Sequence, residues 1–237
     1  DLTVTSPPYD ELRDYHDDNS LFDFQGVAKE LSRVTKDGGV VVWVVGDQTK
    51  NFCVSLTSFK QAIYFVDEVG LRLLDTMIYY KQNYAPAYPT LRRYANQFEY
   101  MFVFGKGKPK TFIPIQQSKV RNKEEKVAYR QTDSSLKRKI KEVGRETKDA
   151  SNVWEYPVGG NLTGHPAVFP LQLATDHILS WSKNGDTVLD PFMGSGTAGI
   201  GSLNNNRNFI GFEIDSVYFE IAKKRLEINS KQSMLVF

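Results

Sequence analysis

Thr187-Val-Leu-Asp190-Pro-Phe-Met-Gly194-Ser-Gly196-Thr-Ala-Gly199 is the stretch on which the reading of this chain turns. Four residues of strand character, 187–190, run into a turn with glycines at 194, 196 and 199, the G-x-G-x-x-G spacing. A helix is expected over 198–203 and a further strand over 208–213, closed by Glu213. Glycine tolerates positive φ and lets a ligand approach the backbone closely. A carboxylate at the end of the following strand is spaced to accept both hydroxyls of a ribose. The unit therefore points to a nucleoside cofactor. A tight turn without any ligand is the plain alternative. Asp190 narrows the choice, because a carboxylate just before the glycines repels a pyrophosphate and attracts an ammonium group. S-adenosylmethionine carries an ammonium and a sulfonium and no phosphate.

Outward from this unit the pattern alternates. A strand over 1–5 and a helix over 24–34, with Val27, Leu31 and Val34 on one stripe, precede the run Val40 to Val45. That run is entirely apolar and mostly β-branched, as in a strand covered on both faces. A helix over 59–69 and strands over 71–80 and 99–104 come next. Helices over 169–182 and 217–228 flank the glycine unit. Strands alternating with helices predict an α/β fold with a doubly wound, mostly parallel sheet. Three parts are expected: 1–105 as the catalytic half, 106–150 as an insertion, and 151–237 as the cofactor-binding half.

The insertion stands out by charge. Residues 106–148 hold 14 Lys and Arg against five acids, a net +9, which leaves −7 on the rest of a chain whose total is +2. One basic block on an otherwise acidic protein suits a phosphate-backbone partner; a solvated insertion is the bland alternative. An exposed basic helix is expected over 134–146. The other bulk properties set limits. At 237 residues and 41% hydrophobic content the chain has enough for one full core. Mean hydropathy is −0.41, and no apolar run is long enough to span a bilayer. A single cysteine, Cys53, rules out an internal disulfide framework and points to a reducing compartment. Cys53 itself reads as a small core residue. His16, His165 and His177 show no metal-ligand spacing, so no metal is expected. Residue 1 is not Met, and strand pattern begins at once, so an earlier piece of chain is expected.

Ser6-Pro7-Pro8-Tyr9 follows the first strand. Two prolines stiffen the turn and remove two backbone donors, leaving carbonyl acceptors with little competition. The lone pair of a base amino group is conjugated into the ring. Acceptors at Ser6 Oγ and the Pro7 carbonyl would draw such a nitrogen toward a tetrahedral form with a usable lone pair, and Tyr9 offers a flat face for a flipped-out base. An ordinary proline-rich turn is the alternative.

Thr5-Ser-Pro-Pro-Tyr9, Asn152-Val-Trp-Glu155, His165-Pro-Ala-Val-Phe-Pro170, Asp190-Pro-Phe-Met-Gly-Ser-Gly-Thr197 and Phe209-Ile-Gly-Phe-Glu213, in this order, resemble the amino-methylating DNA methyltransferases of the β-type motif order. The resemblance spans the chain apart from the basic insertion. It implies a Rossmann-like methyltransferase fold with an inserted recognition segment, S-adenosylmethionine as cofactor and double-stranded DNA, with its target base flipped, as partner. Asp190 would hold the methionine ammonium; Gly194 and Gly196 would pass beneath the methionine moiety; Thr197 would bind its carboxylate; Glu213 would bind the ribose; Phe192 would also belong to the cofactor site. Phe169 and Pro170 would line the pocket. Ser6, Pro7, Pro8 and Tyr9 form the catalytic motif, and Ser at the first position is the form associated with cytosine-N4 methylation. Adenine-N6 methylation, a nicotinamide oxidoreductase and a non-catalytic nucleic-acid-binding module remain alternatives. Relatives carry a Gly-Asp stretch near the cofactor adenine before the catalytic motif, which is absent from this sequence. Lys119, Arg121, Lys123, Arg130, Lys137 and Arg138 are the candidates for DNA contact. A prokaryotic or phage origin, a cytoplasmic, nucleoid-associated location, a second copy and a cognate restriction endonuclease complete the expectations.

Overall fold

The computed structural model describes residues 1–8, 22–84, 94–118, 124–130, 136–142, 147–158 and 170–233. Strand β1 (Leu2–Thr5) is followed by helix α1 (Phe24–Val34) and strand β2 (Val40–Val45). A short hairpin, β3 (Thr49–Lys50) and β4 (Cys53–Val54), precedes helix α2 (Thr57–Asp67) and the long strands β5 (Arg72–Lys81) and β6 (Phe98–Gly105). Then come β7 (Gln116–Ser118), β8 (Glu124–Arg130), β9 (Leu136–Glu142) and β10 (Thr147–Asp149). The chain closes with β11 (Val153–Tyr156), α3 (Leu171–Trp181), β12 (Thr187–Asp190), α4 (Thr197–Asn204), β13 (Asn208–Gly211) and α5 (Ser216–Ser233).

Seven strands form one sheet in the order β11-β5-β6-β2-β1-β12-β13. Every neighbouring pair is parallel except the two that involve β6. All six residues of β2 are buried, as a strand covered on both faces requires. On one face Ala28, Leu31, Trp43, Phe65, Phe102 and Phe104 pack together, with the indole N–H of Trp43 donating to Gln61 Oε1 at 2.8 Å. On the other lie Leu173, His177 and Ile178 of α3, with His177 Nε2 3.3 Å from the sulfur of Met101. Burial pushes this imidazole down to about 3, so His177 stays neutral and serves the core.

The order of strands sets the site. β1 is carried by α1 to β2 on one side, and β12 is carried by α4 to β13 on the other, while β1 and β12 pair directly. The chain thus reverses its winding between them, and the crevice beyond their carboxyl ends is where open α/β sheets bind ligands.

Residues 1–113 with 152–237 form one compact unit, and residues 114–151 a second. In the second, β7 pairs with β10, and β8 pairs with β9 over seven residues. The helix expected over 134–146 is therefore corrected: 136–142 is a strand. Val127, Tyr129 and Ile140 favour a pleated ribbon once a cross-strand partner is present. The expectation of a buried Cys53 is likewise overturned: it is exposed in the β3–β4 hairpin, between exposed Phe52 and Val54. The strand expected over 208–213 ends at Gly211, two residues before Glu213. Val34, on the expected stripe of α1, is exposed, as is Leu171 at the start of α3.

Candidate active site

Thr5 ends β1 and Asp190 ends β12, and the parallel register leaves Thr5 one residue beyond the position opposite Asp190, within reach of its side chain. Thr5 Oγ1 donates to Asp190 Oδ1 at 2.6 Å, and the Phe192 backbone N–H donates to the same oxygen at 3.1 Å. Asp190 is 1% exposed. Burial pushes its carboxyl up to about 7; the two donated hydrogen bonds pull it down, and the negative charge of Glu213 adds a further push upward. A carboxylate so placed is poised to bind a cation, because an arriving positive charge supplies what water cannot.

The glycine turn is clamped from two sides. Gly194 N–H donates to Glu213 Oε2 at 2.8 Å, while Glu213 Oε1 accepts from Asp215 N–H at 3.0 Å. Arg225 of α5, half-buried, donates through Nη1 to the Ser195 carbonyl. Gly196 sits at φ 81°, a conformation L side chains rarely adopt, with a notional Cβ only 3.2 Å from Ala222. At Gly199 a Cβ would fall 2.7 Å from Phe209 and 2.8 Å from Leu226, so this glycine permits the close helix–strand approach. Ser195 Oγ is buried without a partner among the described residues.

The structure thus brings residues 5–8, 190–197 and 213 together at the carboxyl ends of β1, β12 and β13. Ser6 and Pro8 are half-buried and Pro7 is buried. Phe192 is half-buried, edge-on to Phe22 at 5.3 Å and Trp43 at 6.3 Å. Thr197 opens α4 and is buried; Pro170 is buried at the N-cap of α3. Tyr9, Phe169, Lys119, Arg121 and Lys123, with His16 and His165, lie outside the described residues. Arg130 lies on β8, and Lys137 and Arg138 on β9, all in the second unit. Two contacts were not anticipated from sequence, those of Thr5 and Arg225. A hydroxyl at the end of an otherwise apolar buried strand was the available signal for the first. Thr5→Val, which keeps the shape and removes the donor, is expected to raise Asp190 further, because the lost hydrogen bond favoured the charged form. Carboxyl NMR titration measures this; an unmoved Asp190 would refute the coupling.

The donor set fits S-adenosylmethionine: a buried carboxylate for an ammonium, a second carboxylate beside a glycine turn, and an orphaned buried hydroxyl between the glycines. Comparison with known proteins agrees. A family model described as DNA methylase, covering the N6 and N4 enzymes, matches residues 1–224. This chain belongs to the N6/N4 DNA methylase family. It is similar to the orphan methyltransferase M.BamHII of Bacillus amyloliquefaciens, 47% identical over 239 residues, covering 96% of this chain and 88% of the relative. A crystal structure of M1.HpyAVI in complex with SAM superposes with a TM-score of 0.64 at 26% identity, covering 95% of this chain and 88% of that one. The cytosine-N4-specific PvuII DNA methyltransferase superposes at 0.68 with 19% identity, covering 98% and 84%, a likeness of fold. As a member of this family the chain is a DNA methyltransferase that uses S-adenosylmethionine. Among the described residues, no helix is long and apolar enough to cross a membrane.

Proposed function

We propose that this methyltransferase acts on the exocyclic N4 of cytosine, in duplex DNA whose target base is flipped into the crevice between β1 and β12. The observation that carries the reading is the Thr5–Asp190 hydrogen bond, which ties the strand bearing Ser6-Pro7-Pro8 to the cofactor turn at the point where the sheet reverses. The choice of cytosine rests on Ser6.

When bound, S-adenosylmethionine supplies a methyl carbon on a sulfonium leaving group. Asp190 holds the methionine ammonium and Thr197 its carboxylate. Glu213 retains a free lone pair on each oxygen beyond its bonds to Gly194 and Asp215, enough for two ribose hydroxyls. Phe192, with Phe169 and Pro170, lines the pocket, and Gly194 and Gly196 let the backbone pass close beneath. Ser6 Oγ and the Pro7 carbonyl accept the two amino hydrogens of the base and aim the nitrogen lone pair, while Tyr9 stacks on the ring. Catalysis then consists of positioning and electrostatics. The decisive experiment incubates the protein with labelled S-adenosylmethionine and mixed-sequence duplex DNA, then identifies the labelled nucleoside by mass spectrometry. N4-methylcytosine is the expected product. Label on N6-methyladenine would overturn the choice of base.

The β8–β9 ribbon, with Arg130, Lys137 and Arg138, and the neighbouring Lys119, Arg121 and Lys123, supplies DNA-backbone contacts in this reading. A two-stranded ribbon is of a size the major groove admits. Replacing Lys137 and Arg138 together by Gln is expected to reduce the slope of log K against log salt by about 1.8, two phosphate contacts. Cofactor affinity should not change. A slope unaltered within error excludes both from the interface.

A further inference from the structure

The β3–β4 hairpin carries at its tip a residue that its own backbone disfavours. Asn51 and Phe52 make the two-residue turn, with φ of 51° and 64°. Positive φ at both central positions is the pattern of a type I′ turn, for which Asn-Gly is the preferred pair. Asn51 suits the first position. Phe52 stands where glycine is expected, and a bulky side chain is costly there. Packing within the fold offsets little of that cost, because Phe52 is 74% exposed. A large apolar ring held in solvent on a strained backbone points to a use outside the fold.

The stem of the hairpin is well held. Thr49 pairs with Val54 and Lys50 with Cys53, and the Ser55 N–H donates to the Gln48 carbonyl at 2.9 Å. Asp47 accepts from the Ser58 backbone N–H at 2.9 Å and from the Ser58 hydroxyl at 2.7 Å, which fastens the hairpin to the first turn of α2. Position then narrows the use. Thr5 pairs with Trp43 in the parallel β1–β2 register, and β2 ends two residues further on, at Val45. The hairpin therefore leaves the same carboxyl edge of the sheet as Ser6-Pro7-Pro8, from the neighbouring strand. Residues 48–56 include Lys50 and no acid, so nothing in the hairpin repels a polyanion.

We infer that Phe52 is an apolar wedge that enters the base stack of duplex DNA beside the target nucleotide and holds the stack open while the base occupies the crevice. The inference rests on the proposed flipping of that base. Extrusion leaves a gap lined by the faces of the neighbouring bases, and phenylalanine is among the side chains that insert between base steps. A ring carried on a pre-formed two-stranded stem loses little freedom on entering.

Cys53 follows Phe52 directly, is exposed and is the sole cysteine of the sequence, so its thiol reports on the tip. Saturating mixed-sequence duplex DNA should slow its modification by N-ethylmaleimide about tenfold or more; an unchanged rate overturns the proposal. Phe52→Gly suits the turn and removes the ring. Its melting temperature should not fall and its calorimetric affinity for S-adenosylmethionine should stay at the wild-type value, while methyl transfer into mixed-sequence duplex DNA should drop about tenfold or more. Phe52→Leu, also an inserting side chain, should keep transfer within about threefold of wild type. Wild-type transfer by Phe52→Gly overturns the wedge, and a lowered melting temperature would make Phe52 a structural residue instead. Absence of transfer by the unaltered chain would fault the reading of the crevice itself, whereas protection of Cys53 is read without any transfer.

Discussion

Replacing Asp190 by Asn is expected to abolish S-adenosylmethionine binding while raising the melting temperature of the cofactor-free protein at about pH 8. The two effects share one cause. Burial holds the Asp190 carboxyl up at about 7, so in the free protein above that pH an ionised group stays buried with only Thr5 and Phe192 donating to it. From an ordinary carboxylate value up to about 7, the native state keeps a proton that the unfolded state has lost. Stability from this group therefore falls as pH rises through that window and stays low above it. The displacement corresponds to about 4 kcal/mol. Asn keeps the acceptor for Thr5 and Phe192 but leaves an amide N–H₂ short of partners, which costs roughly 1–3 kcal/mol. The gain exceeds the cost by about 1–3 kcal/mol, or several degrees for a chain of this size. At about pH 5 wild-type Asp190 is protonated and the advantage should vanish.

Binding runs the other way. An ammonium beside Asp190 favours the carboxylate, so binding below about pH 7 must release a proton, and affinity should climb with pH to about 7 before levelling. Calorimetry in buffers of different ionisation enthalpy reads both the affinity and the proton count. Wild-type-like affinity in Asp190→Asn would remove Asp190 from the ammonium site. Loss of binding without the gain in stability would mean that the raised carboxyl is an incorrect account of the free protein.

The architecture was legible wherever apolar pattern and turn chemistry agreed. Val40 to Val45 reads as a strand covered on both faces and is one, because a continuous β-branched run has no polar side to expose. The unit 187–199 reads as strand, turn and helix because glycines punctuate the end of an apolar strand, and Gly194 and Gly196 take the positive φ that other residues rarely adopt. What stayed hidden is non-local. Thr5 and Asp190 are 185 residues apart, and their hydrogen bond exists only because β1 and β12 pair in parallel and end within one residue of each other. The contact between Arg225 and the glycine turn arises from how α5 lies across α4, which no periodicity reports. The ribbon was obscured for a related reason. Leu136–Glu142 is charged enough to suit an exposed helix, and only its pairing with Glu124–Arg130 makes it a strand. Cys53 reads as internal because Phe52 and Val54 flank it; all three are exposed on the β3–β4 hairpin.

Ser6→Ala should leave S-adenosylmethionine affinity at the wild-type value and lower single-turnover methyl transfer by about 10²–10³, the usual cost of removing one preorganised polar group from a transition state. Ser6 follows Thr5 directly, so the strand end that anchors Asp190 also fixes where the Ser6 hydroxyl stands. The exocyclic nitrogen is planar in the free base. In the proposed reaction its lone pair would become available as its hydrogens are drawn out of the ring plane by two acceptors, Ser6 Oγ and the Pro7 carbonyl. Losing one acceptor leaves the base able to enter the crevice but poorly pyramidalised, so the loss should fall on the chemical step and spare DNA affinity. A change in KM for DNA with transfer rate preserved would place Ser6 in binding instead. A transfer rate within about threefold of wild type, less than 1 kcal/mol, would remove the Ser6 hydroxyl from catalysis and leave the Pro7 carbonyl as the principal acceptor.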